Sequence, residues 1–351
     1  MKRSVQFAST LLASSAVSFA LAGSAVAGVD DKKLDIYWVD VEGGAATLFV
    51  TPAGETVLID TGNPGDRDAD RVKRAVTEAG LKKIDHLVVT HYHSDHYGGL
   101  ADIAARVPIG VLYTRDLAGA PEKERTDPKI EMLKEVKVEK RVRIKPGAKL
   151  PLKQTKGTAP LAFTFIGADE KFIASRGAGP NPEICKEHVA RPPDASDNKN
   201  SVVMLVSFGP WRFFDGGDLT WNTEAALVCP KNLVGKPIDV FQINHHGLDQ
   251  SNNPVLVKSL APTVAVVNNG PKKGGDKGSF ATLKATPSIK DIYQVHRNVR
   301  TTPEQNTVAN LIANPDENCV GNHIKLSVEP DGKRYGLAVP ATKHEASYET
   351  K

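Results

Sequence analysis

The sequence is poor in cysteine, nearly balanced in charge and, beyond its N-terminus, without a long apolar run. Its three cysteines, Cys185, Cys229 and Cys319, are too widely spaced for a cysteine-based zinc knuckle. The formal net charge of +4 does not by itself indicate a polyanionic partner. Beyond the N-terminus, no segment is long and apolar enough to cross a bilayer. We therefore expect that the mature protein, once an N-terminal signal peptide has been removed, is not an integral membrane protein.

Several catalytic signatures are missing as well. The chain has no Walker loop, no dinucleotide fingerprint and no Ser-His-Asp order of a hydrolase triad. It also lacks a long Gly/Ser-rich or Pro-rich linker, which favours a single domain of two packed halves over residues 28–351. Hydrophobic and charged contents of 40% and 25% are ordinary for a globular protein with a sizeable core.

The N-terminus has the pattern of a leader. Lys2 and Arg3 precede an apolar stretch that ends in Ala-Val-Ala before Gly28, as in a secretory signal peptide with an A-x-A cleavage site. An uncleaved anchor helix is the alternative, but serines interrupt the stretch and it is short for a bilayer span. We therefore predict a signal peptide over residues 1–27 and a periplasmic or secreted mature protein.

The stretch THYHSDHYGGL is the strongest chemical signal in the chain. The stretch follows an apolar run that predicts a buried strand. Within six consecutive positions it contains four residues of metal-ligand type: His91, His93, Asp95 and His96. Side chains alternate on an extended backbone, so His91 and His93 can reach one small cation together. Asp95 and His96 follow where the chain turns and can face a neighbouring ion. These ligands suit zinc, with manganese or iron as alternatives.

The surrounding pattern alternates strands and helices. An antiparallel meander is predicted at 34–41, 46–50 and 56–59, followed by a helix at 66–79, a strand at 84–89, a helix at 100–107 and a strand at 111–113. Further strands are predicted at 161–166, 202–208, 211–214, 239–243 and 263–267, helices at 254–260 and 287–294, and a closing hairpin at 323–328 and 335–339. The first part of this alternation is what helices outside two sheets would produce.

With this HxHxDH motif the chain resembles the metallo-β-lactamase superfamily, and within it the metallohydrolase domain of ComEC-type DNA-uptake proteins and their secreted relatives. The resemblance implies an α/β fold, a four-layer αββα sandwich. It also implies two divalent metal ions, Zn²⁺ with Mn²⁺ as the alternative. Asp60, in a DTG element at the end of the third strand, would hold a ligand histidine in one tautomer. A plain turn aspartate is the alternative there.

The resemblance assigns further ligands in the second half of the chain. Asp218 follows two glycines at a strand end and would bridge both ions, although a structural turn aspartate has the same pattern. Where better-known members have a histidine, this chain has Asp197, four residues before Ser201. Asp197 either replaces the imidazole as an oxygen ligand or leaves the first site incomplete, and both readings stay open.

The last ligand comes from the turn Asn-His-His-Gly that follows a strand. One of its two histidines should complete the second ion, and we favour His245 because it leaves the strand first. His246 would then donate a proton or contact the substrate. Asp95 would orient the nucleophile as well as bind metal.

Two other segments and the cysteines complete the organisation. Residues 115–157 form a basic insertion, in which interspersed glutamates and missing aromatic residues favour a solvated helix and hairpin over a nucleic-acid track. Residues 168–199 form a loop long enough to be an active-site rim. A Cys185–Cys229 disulfide is slightly favoured, since both cysteines lie near segments expected to flank the metal cleft, and buried thiols are the alternative.

The predicted function is an exported metal-dependent hydrolase that uses a metal-bound hydroxide as nucleophile. The ComEC-like features favour phosphodiester, nucleic-acid-like substrates. A lactone, ester or β-lactam hydrolase on the same metals is one alternative, and a non-catalytic exported metal-binding protein is another. We infer no obligatory protein partner.

Overall fold

Two large β-sheets face each other in the middle of the fold. The computed structural model describes residues 26–175 and 178–351, so the predicted leader lies almost wholly outside the described residues. In these ranges the strands are β1 (Leu34–Trp38), β2 (Thr47–Val50), β3 (Thr56–Ile59), β4 (Ile84–Val88), β5 (Ile109–Thr114), β6 (Lys140–Arg143), β7 (Leu161–Ala168), β8 (Lys171–Phe172), β9 (Gly179–Pro180), β10 (Val203–Phe208), β11 (Trp211–Asp215), β12 (Lys231–Asn232), β13 (Val240–Gln242), β14 (Val264–Val267), β15 (Asp291–His296), β16 (Ile312–Asn314), β17 (Ile324–Val328), β18 (Arg334–Val339) and β19 (His344–Glu349).

The described helices are short, and none of them combines the length and apolar character that a membrane span requires. They are α1 (Asp66–Glu78), α2 (Ser94–Tyr97), α3 (Leu100–Ala104), α4 (Glu122–Arg125), α5 (Ile130–Glu135), α6 (Pro182–Cys185), α7 (Trp221–Val228), α8 (Pro254–Leu260) and α9 (Lys277–Lys284).

Each large sheet contains a run of parallel strands. The first sheet has the order β19-β18-β17-β1-β2-β3-β4-β5-β6, and the second has the order β16-β15-β14-β13-β11-β10-β7-β8. The predicted meander β1-β2-β3 and the closing hairpin β17-β18 are antiparallel as expected. Strands β3 to β6 run parallel, as do β11 and β13 to β16. Parallel strands end at the same edge of a sheet, which brings the segments after β3 and β4, and those after β11 and β13, side by side.

Apolar side chains fill three layers. Between the sheets, the ring of Phe49 on β2 lies 4.9 Å from Phe163 and 5.3 Å from Phe213 of the opposite sheet. Such aromatic pairs add about 0.5–1.5 kcal/mol beyond the area they bury. Outside the first sheet, α1, α3 and α5 cover its buried residues, and outside the second sheet α7, α8 and α9 do the same. The four layers are therefore helix, sheet, sheet and helix, as predicted.

Two sequence predictions about secondary structure are wrong. The segment predicted as a helix at 287–294 contains most of strand β15, and the helix lies earlier, at Lys277–Lys284. Strand β15 is covered on both faces in a parallel sheet, where a strand loses the alternation that distinguishes it from a helix. In the basic stretch 115–157, the expected hairpin is also not formed. Strand β6 is instead an exposed edge strand parallel to β5.

Candidate metal centre

The loop after strand β4 carries the first ligand group. The strand is flanked by parallel β3 and β5, and its buried apolar residues fix where the loop begins. Nε2 of His91 lies 3.1 Å from Nδ1 of His93 and 3.8 Å from Oδ2 of Asp218. The predicted alternation thus places both imidazoles on one side of the loop, and with Asp218 they form one group of ligand-type atoms.

The second ligand group contains Asp95, His96, Asp218 and His246. Nε2 of His96 is 3.1 Å from Oδ2 of Asp218 and 3.2 Å from Nε2 of His246. Oδ2 of Asp95 lies 3.3 Å from His246 and 3.4 Å from His96. Because Oδ2 of Asp218 faces both groups, this one oxygen occupies the position that a bridging ligand requires.

Asp218 reaches the centre through its two glycines. Gly217 has φ of +55°, a left-handed conformation that favours glycine. A Cβ on Gly216 would lie 2.6 Å from Oδ1 of Asn244, so the close approach of these two strand ends also requires glycine. The backbone N–H of Asp218 donates to Oγ of Ser201 at 3.1 Å, so Ser201 helps to position this carboxylate.

The structure places the two histidines of the Asn-His-His-Gly turn differently from the prediction. His246, not His245, joins Asp95, His96 and Asp218. Both histidines have left-handed backbone conformations, with φ of 53° and 54°, so the chain reverses here rather than continuing as a strand. Nε2 of His245 lies 3.6 Å from Oδ2 of Asp218 and 3.2 Å from Nδ2 of Asn198.

Asp197 does not enter either ligand group. Its Oδ1 is ion-paired with the buried guanidinium of Arg115 and also accepts from Nδ2 of Asn200. Its Oδ2 accepts the backbone N–H of Tyr92 at 2.8 Å. Because both carboxylate oxygens are engaged and the residue is fully buried, Asp197 anchors the metal loop from behind instead of acting as a ligand.

Asp60 holds His96 as the DTG element predicted. Oδ2 of Asp60 is 2.7 Å from Nδ1 of His96, and the carboxylate also accepts the backbone N–H and the hydroxyl of Thr90. With a proton on Nδ1, directed at Asp60, a metal-bound His96 would present the lone pair of Nε2 to the centre.

Burial and charge act strongly on these groups. Burial alone would raise the pKa of the Asp218 carboxyl, but His96 and the two histidines of the turn hold it well below its usual range. Burial opposes a charge on His96, yet the carboxylates of Asp218, Asp60 and Asp95 raise the pKa of this imidazole well above normal. Burial, followed by the charge of His96, lowers the pKa of His91. The carboxylates therefore favour positive charge at the point where the two groups meet.

The residues present fit divalent cations. Imidazole nitrogens and carboxylate oxygens are the donors that zinc and manganese accept, and here they converge to 3.1–3.8 Å. Nε2 of His96 faces a carboxylate oxygen and a second imidazole nitrogen, and a cation bound between these atoms would replace the proton that the carboxylates favour on this imidazole. Among the described residues, the buried Oδ1 of Asn198 also has no hydrogen-bond partner.

Sequence reasoning missed three side chains around the centre. Oε1 of Glu124 lies 3.4 Å from Nε2 of His93. Glu224 is fully buried and accepts from Nδ2 of Asn244 at 2.7 Å and from two backbone N–H groups, which fixes the turn that carries His246. Lys273 contacts Asp95. Only Lys273 had a visible signal, a Pro-Lys-Lys-Gly-Gly segment that begins four residues after the end of a predicted strand.

The predicted rim loop packs beside the centre and is covalently anchored. Cys185 and Cys229 form a disulfide, as the sequence slightly favoured, which links the loop to the end of helix α7. The indole Nε1 of Trp221 donates to the carbonyl of Val189 at 2.9 Å. The guanidinium of Arg191 stacks on the same indole, 3.2 Å from its centroid. The loop is therefore fixed to the helix that begins three residues after Asp218.

Another group of ligand-type side chains, the Asp40 cluster, consists of Asp40, His296 and Cys319. Nε2 of His296 is 2.7 Å from Oδ1 of Asp40, and the free thiol of Cys319 donates to Oδ2 at 3.2 Å. Nη1 of Arg71 also donates to Oδ2 of Asp40, at 2.8 Å. Burial, with the charge of Asp40, raises the pKa of the Cys319 thiol to about 11, so the sulfur stays protonated.

Comparison with known proteins agrees with this geometry. Residues 39–175, which include the complete metal loop, match the Metallo-beta-lactamase superfamily. The chain carries a metallo-beta-lactamase superfamily domain. The predicted recognition, the αββα fold class and the assignment to a superfamily of metal-dependent hydrolases are thereby confirmed.

Relatives of this superfamily domain cover more of the chain. Competence protein ComA of Neisseria gonorrhoeae is 25% identical over 230 residues, which are 65% of this chain and 26% of that protein. Recombination protein 2 of Haemophilus influenzae is 25% identical over 237 residues, 66% of this chain and 24% of that protein. The chain thus spans about a quarter of the length of these relatives. Among solved structures, a variant of the CmlA beta-hydroxylase aligns with a TM-score of 0.44 at 17% identity, covering 76% of this chain and 52% of that one.

Proposed function

We propose that this protein is an exported hydrolase that cleaves phosphodiester bonds of nucleic-acid-like substrates with two divalent cations, zinc or manganese. The observation that carries the proposal is the similarity of 65% and 66% of the chain to a competence protein and a recombination protein, because competence and recombination are processes of DNA. The shared oxygen of Asp218 supports it further. Paired cations about 3.5–4 Å apart are typical of enzymes that cleave phosphodiesters.

The ligands divide between the two cations. We assign the first cation to His91, His93 and Asp218, and the second to Asp95, His96, Asp218 and His246. His245 then completes the first site in the role that Asp197 does not fill. Two facts support this assignment of His245: its Nε2 is 3.6 Å from Oδ2 of Asp218, and its Nδ1, 3.1 Å from Oγ of Ser251, is held by a hydroxyl.

When bound, the cations lower the pKa of a water from about 15.7 toward neutrality and offset the charge that develops on the phosphoryl oxygens. The protein's own residues position these groups. Asp60 orients His96 through Nδ1, and Glu124 lies beside Nε2 of His93. Glu224 holds the turn of His245 and His246 against α7. These outer carboxylates control the direction of each imidazole lone pair.

Export is supported by two independent features. The N-terminal residues have the pattern of a cleavable signal peptide, and the Cys185–Cys229 disulfide is of a kind that persists in oxidising compartments. Mass spectrometry of protein recovered from the periplasm or the medium should give a mature N-terminus at Gly28. Protein found only in the cytoplasm, with residues 1–27 retained, would exclude export.

The proposed reaction is tested with parallel substrates. Metal content is measured first, and the metal-loaded protein is then assayed with bis-p-nitrophenyl phosphate, single-stranded DNA, nitrocefin and a lactone. We expect turnover of the two phosphodiesters. Turnover of nitrocefin or the lactone alone would replace the phosphodiester proposal with another hydrolase of the same centre. No turnover of any substrate would indicate a metal-binding protein without catalysis.

Variants then link activity to the centre. Asp218→Ala should lose one cation and on the order of 1,000-fold in kcat. The matched control Asp331→Ala removes an exposed carboxylate from the β17-β18 hairpin and should retain full activity. Activity that survives Asp218→Ala would exclude this site.

DNA binding should also weaken steeply as salt increases, and a flat salt response would contradict a nucleic-acid substrate.

A further inference from the structure

The turn that follows strand β14 is fixed rigidly against the metal centre. We call residues 270–275, with the sequence GPKKGG, the lysine turn. Its Gly275 N–H donates to the carbonyl of His246 at 2.8 Å, and the buried Nδ2 of Asn298 donates to the carbonyls of Gly274 and Gly275. A Cβ on Gly274 would lie 2.1 Å from the carbonyl oxygen of His246. The lysine turn therefore has a defined position beside a ligand.

This position places Lys273 at the mouth of the centre. Its ammonium contacts Oδ2 of Asp95, and this is the same oxygen that lies 3.3 Å from His246 and 3.4 Å from His96. The Lys273 side chain is 40% exposed and that of Asp95 is 18% exposed. Lys273 therefore stands between solvent and a carboxylate that we assign as a metal ligand.

Three other cations that line the same pocket as Lys273 are paired differently. Arg67 is paired with Glu42, Arg71 with Asp40 and Lys272 with Glu317. None of these three carboxylates belongs to a ligand group that we assign to a cation. Lys273 is thus the neighbour whose partner a divalent cation would take over.

Given the proposed phosphodiesterase function, on which this inference rests, we propose that Lys273 is a catalytic residue that contacts a non-bridging oxygen of the scissile phosphate. With a divalent cation bound at Asp95, the Lys273 ammonium would lose this partner, and its flexible four-carbon stem would let it turn toward the substrate. In the hydrolysis, a hydroxide oxygen bonds to phosphorus, the bond to the leaving oxygen breaks, and that oxygen takes a proton from solvent. The negative charge on the phosphoryl oxygens increases in the transition state, where a nearby cation stabilises it most.

The proposal makes two predictions of opposite sign for Lys273→Met. Apo protein should bind Mn²⁺ or Zn²⁺ about 10-fold more tightly, because a cation that competes for Asp95 has been removed. The metal-loaded variant should lose on the order of 100-fold in kcat on bis-p-nitrophenyl phosphate with little change in KM. Lys273→Arg, which keeps the charge, should recover most of this loss.

Isothermal titration of the apo proteins and steady-state kinetics of the loaded proteins test both predictions, and Lys272→Met is the matched control. A purely structural role would weaken metal binding and reduce kcat together, and this result would overturn the inference. Turnover by the wild-type protein that Lys273→Met preserves would overturn this inference alone. No phosphodiester turnover by the wild-type protein would overturn the proposed function and, with it, the role of Lys273.

Discussion

The metal centre and the Asp40 cluster both bring buried aspartate and histidine together, yet only the metal centre is arranged to hold a cation. At the metal centre, the carboxylates face several imidazole nitrogens and one surface ammonium. At the Asp40 cluster, the guanidinium of Arg71, only 9% exposed, is bonded directly to Asp40. A buried arginine is a permanent cation. Its presence supplies the positive charge that a metal would otherwise provide.

The buried carboxylate of Glu224 shows what happens when no cation is paired directly with the group. Glu224 accepts hydrogen bonds from three N–H donors, but burial raises its pKa to about 7. Burial also acts to raise the pKa of the Asp40 carboxyl, but His296 and Arg71 overcome that effect and lower the pKa. Clusters of metal-ligand residue types must therefore be judged together with the cations already beside them.

The largest expected effect is a loss of stability when the Asp40 cluster loses its arginine. Arg71→Leu leaves a buried carboxylate without its cation and should lower the free energy of unfolding by about 3–5 kcal/mol, measured by denaturant titration. Lys73→Leu makes the same kind of change on an exposed position of helix α1 and should cost less than about 1 kcal/mol. Equal losses in the two variants would mean that Arg71 is not the compensating charge.

The next largest effect is the change of protein stability with pH that ionisation of Glu224 causes. Its folded-state pKa of about 7 lies above the ordinary value of 4.5, so the folded protein holds this proton more tightly than the unfolded chain does. The contribution to stability is complete below about pH 4.5 and is lost as the pH rises through about 7. The loss should be on the order of 3 kcal/mol, at about 1.36 kcal/mol per pKa unit.

Denaturant titrations of metal-free protein between pH 4.5 and 8 measure this loss. Glu224→Gln should be less stable at low pH, because one amide oxygen replaces two acceptors, and should show less dependence on pH. The exposed substitution Glu135→Gln should keep the wild-type pH dependence. An unchanged pH dependence in Glu224→Gln would show that the carboxyl is ionised in the folded protein throughout this range.

A smaller effect is expected from Asp60, which acts on the metal through His96. Asp60→Asn removes the charged acceptor that fixes the proton on Nδ1, and metal affinity should fall about 10- to 100-fold. Competition with a chromogenic chelator measures this change. Asp331→Asn provides an exposed control, and unchanged affinity in Asp60→Asn would mean that His96 needs no such support.

The smallest effect is predicted for Cys319→Ser. If Arg71 already fills the cationic role, this variant should change stability by less than about 1 kcal/mol and should retain the wild-type metal content after dialysis. Loss of one metal equivalent would contradict the comparison and identify the Asp40 cluster as a metal site.

The sequence was most informative where partners are close along the chain. His91, His93, Asp95 and His96 lie within one short loop after a strand, so local alternation was enough to group them. Asp60 and Asp218 required the superfamily resemblance in addition, because strand order brings them to the loop from distant positions.

The sequence was least informative where a distant partner decides the outcome. Asp197 stands where the resemblance places a histidine ligand, and its buried partner Arg115, 82 residues earlier, gives no local signal that this carboxylate is already engaged. The order of His245 and His246 depended on left-handed backbone conformations that a strand pattern does not reveal. The missed strand β15 follows the same rule, since it is specified by neighbours on both sides rather than by its own periodicity.

Trp221, on which Arg191 stacks, can report on the rim loop through its intrinsic fluorescence. The other two tryptophans, Trp38 and Trp211, are completely buried between the sheets, whereas the indole of Trp221 is partly open to solvent. A change of intrinsic fluorescence during titration with metal or oligonucleotide would therefore originate mainly at the rim, and a Trp221→Phe variant would serve as the optical blank.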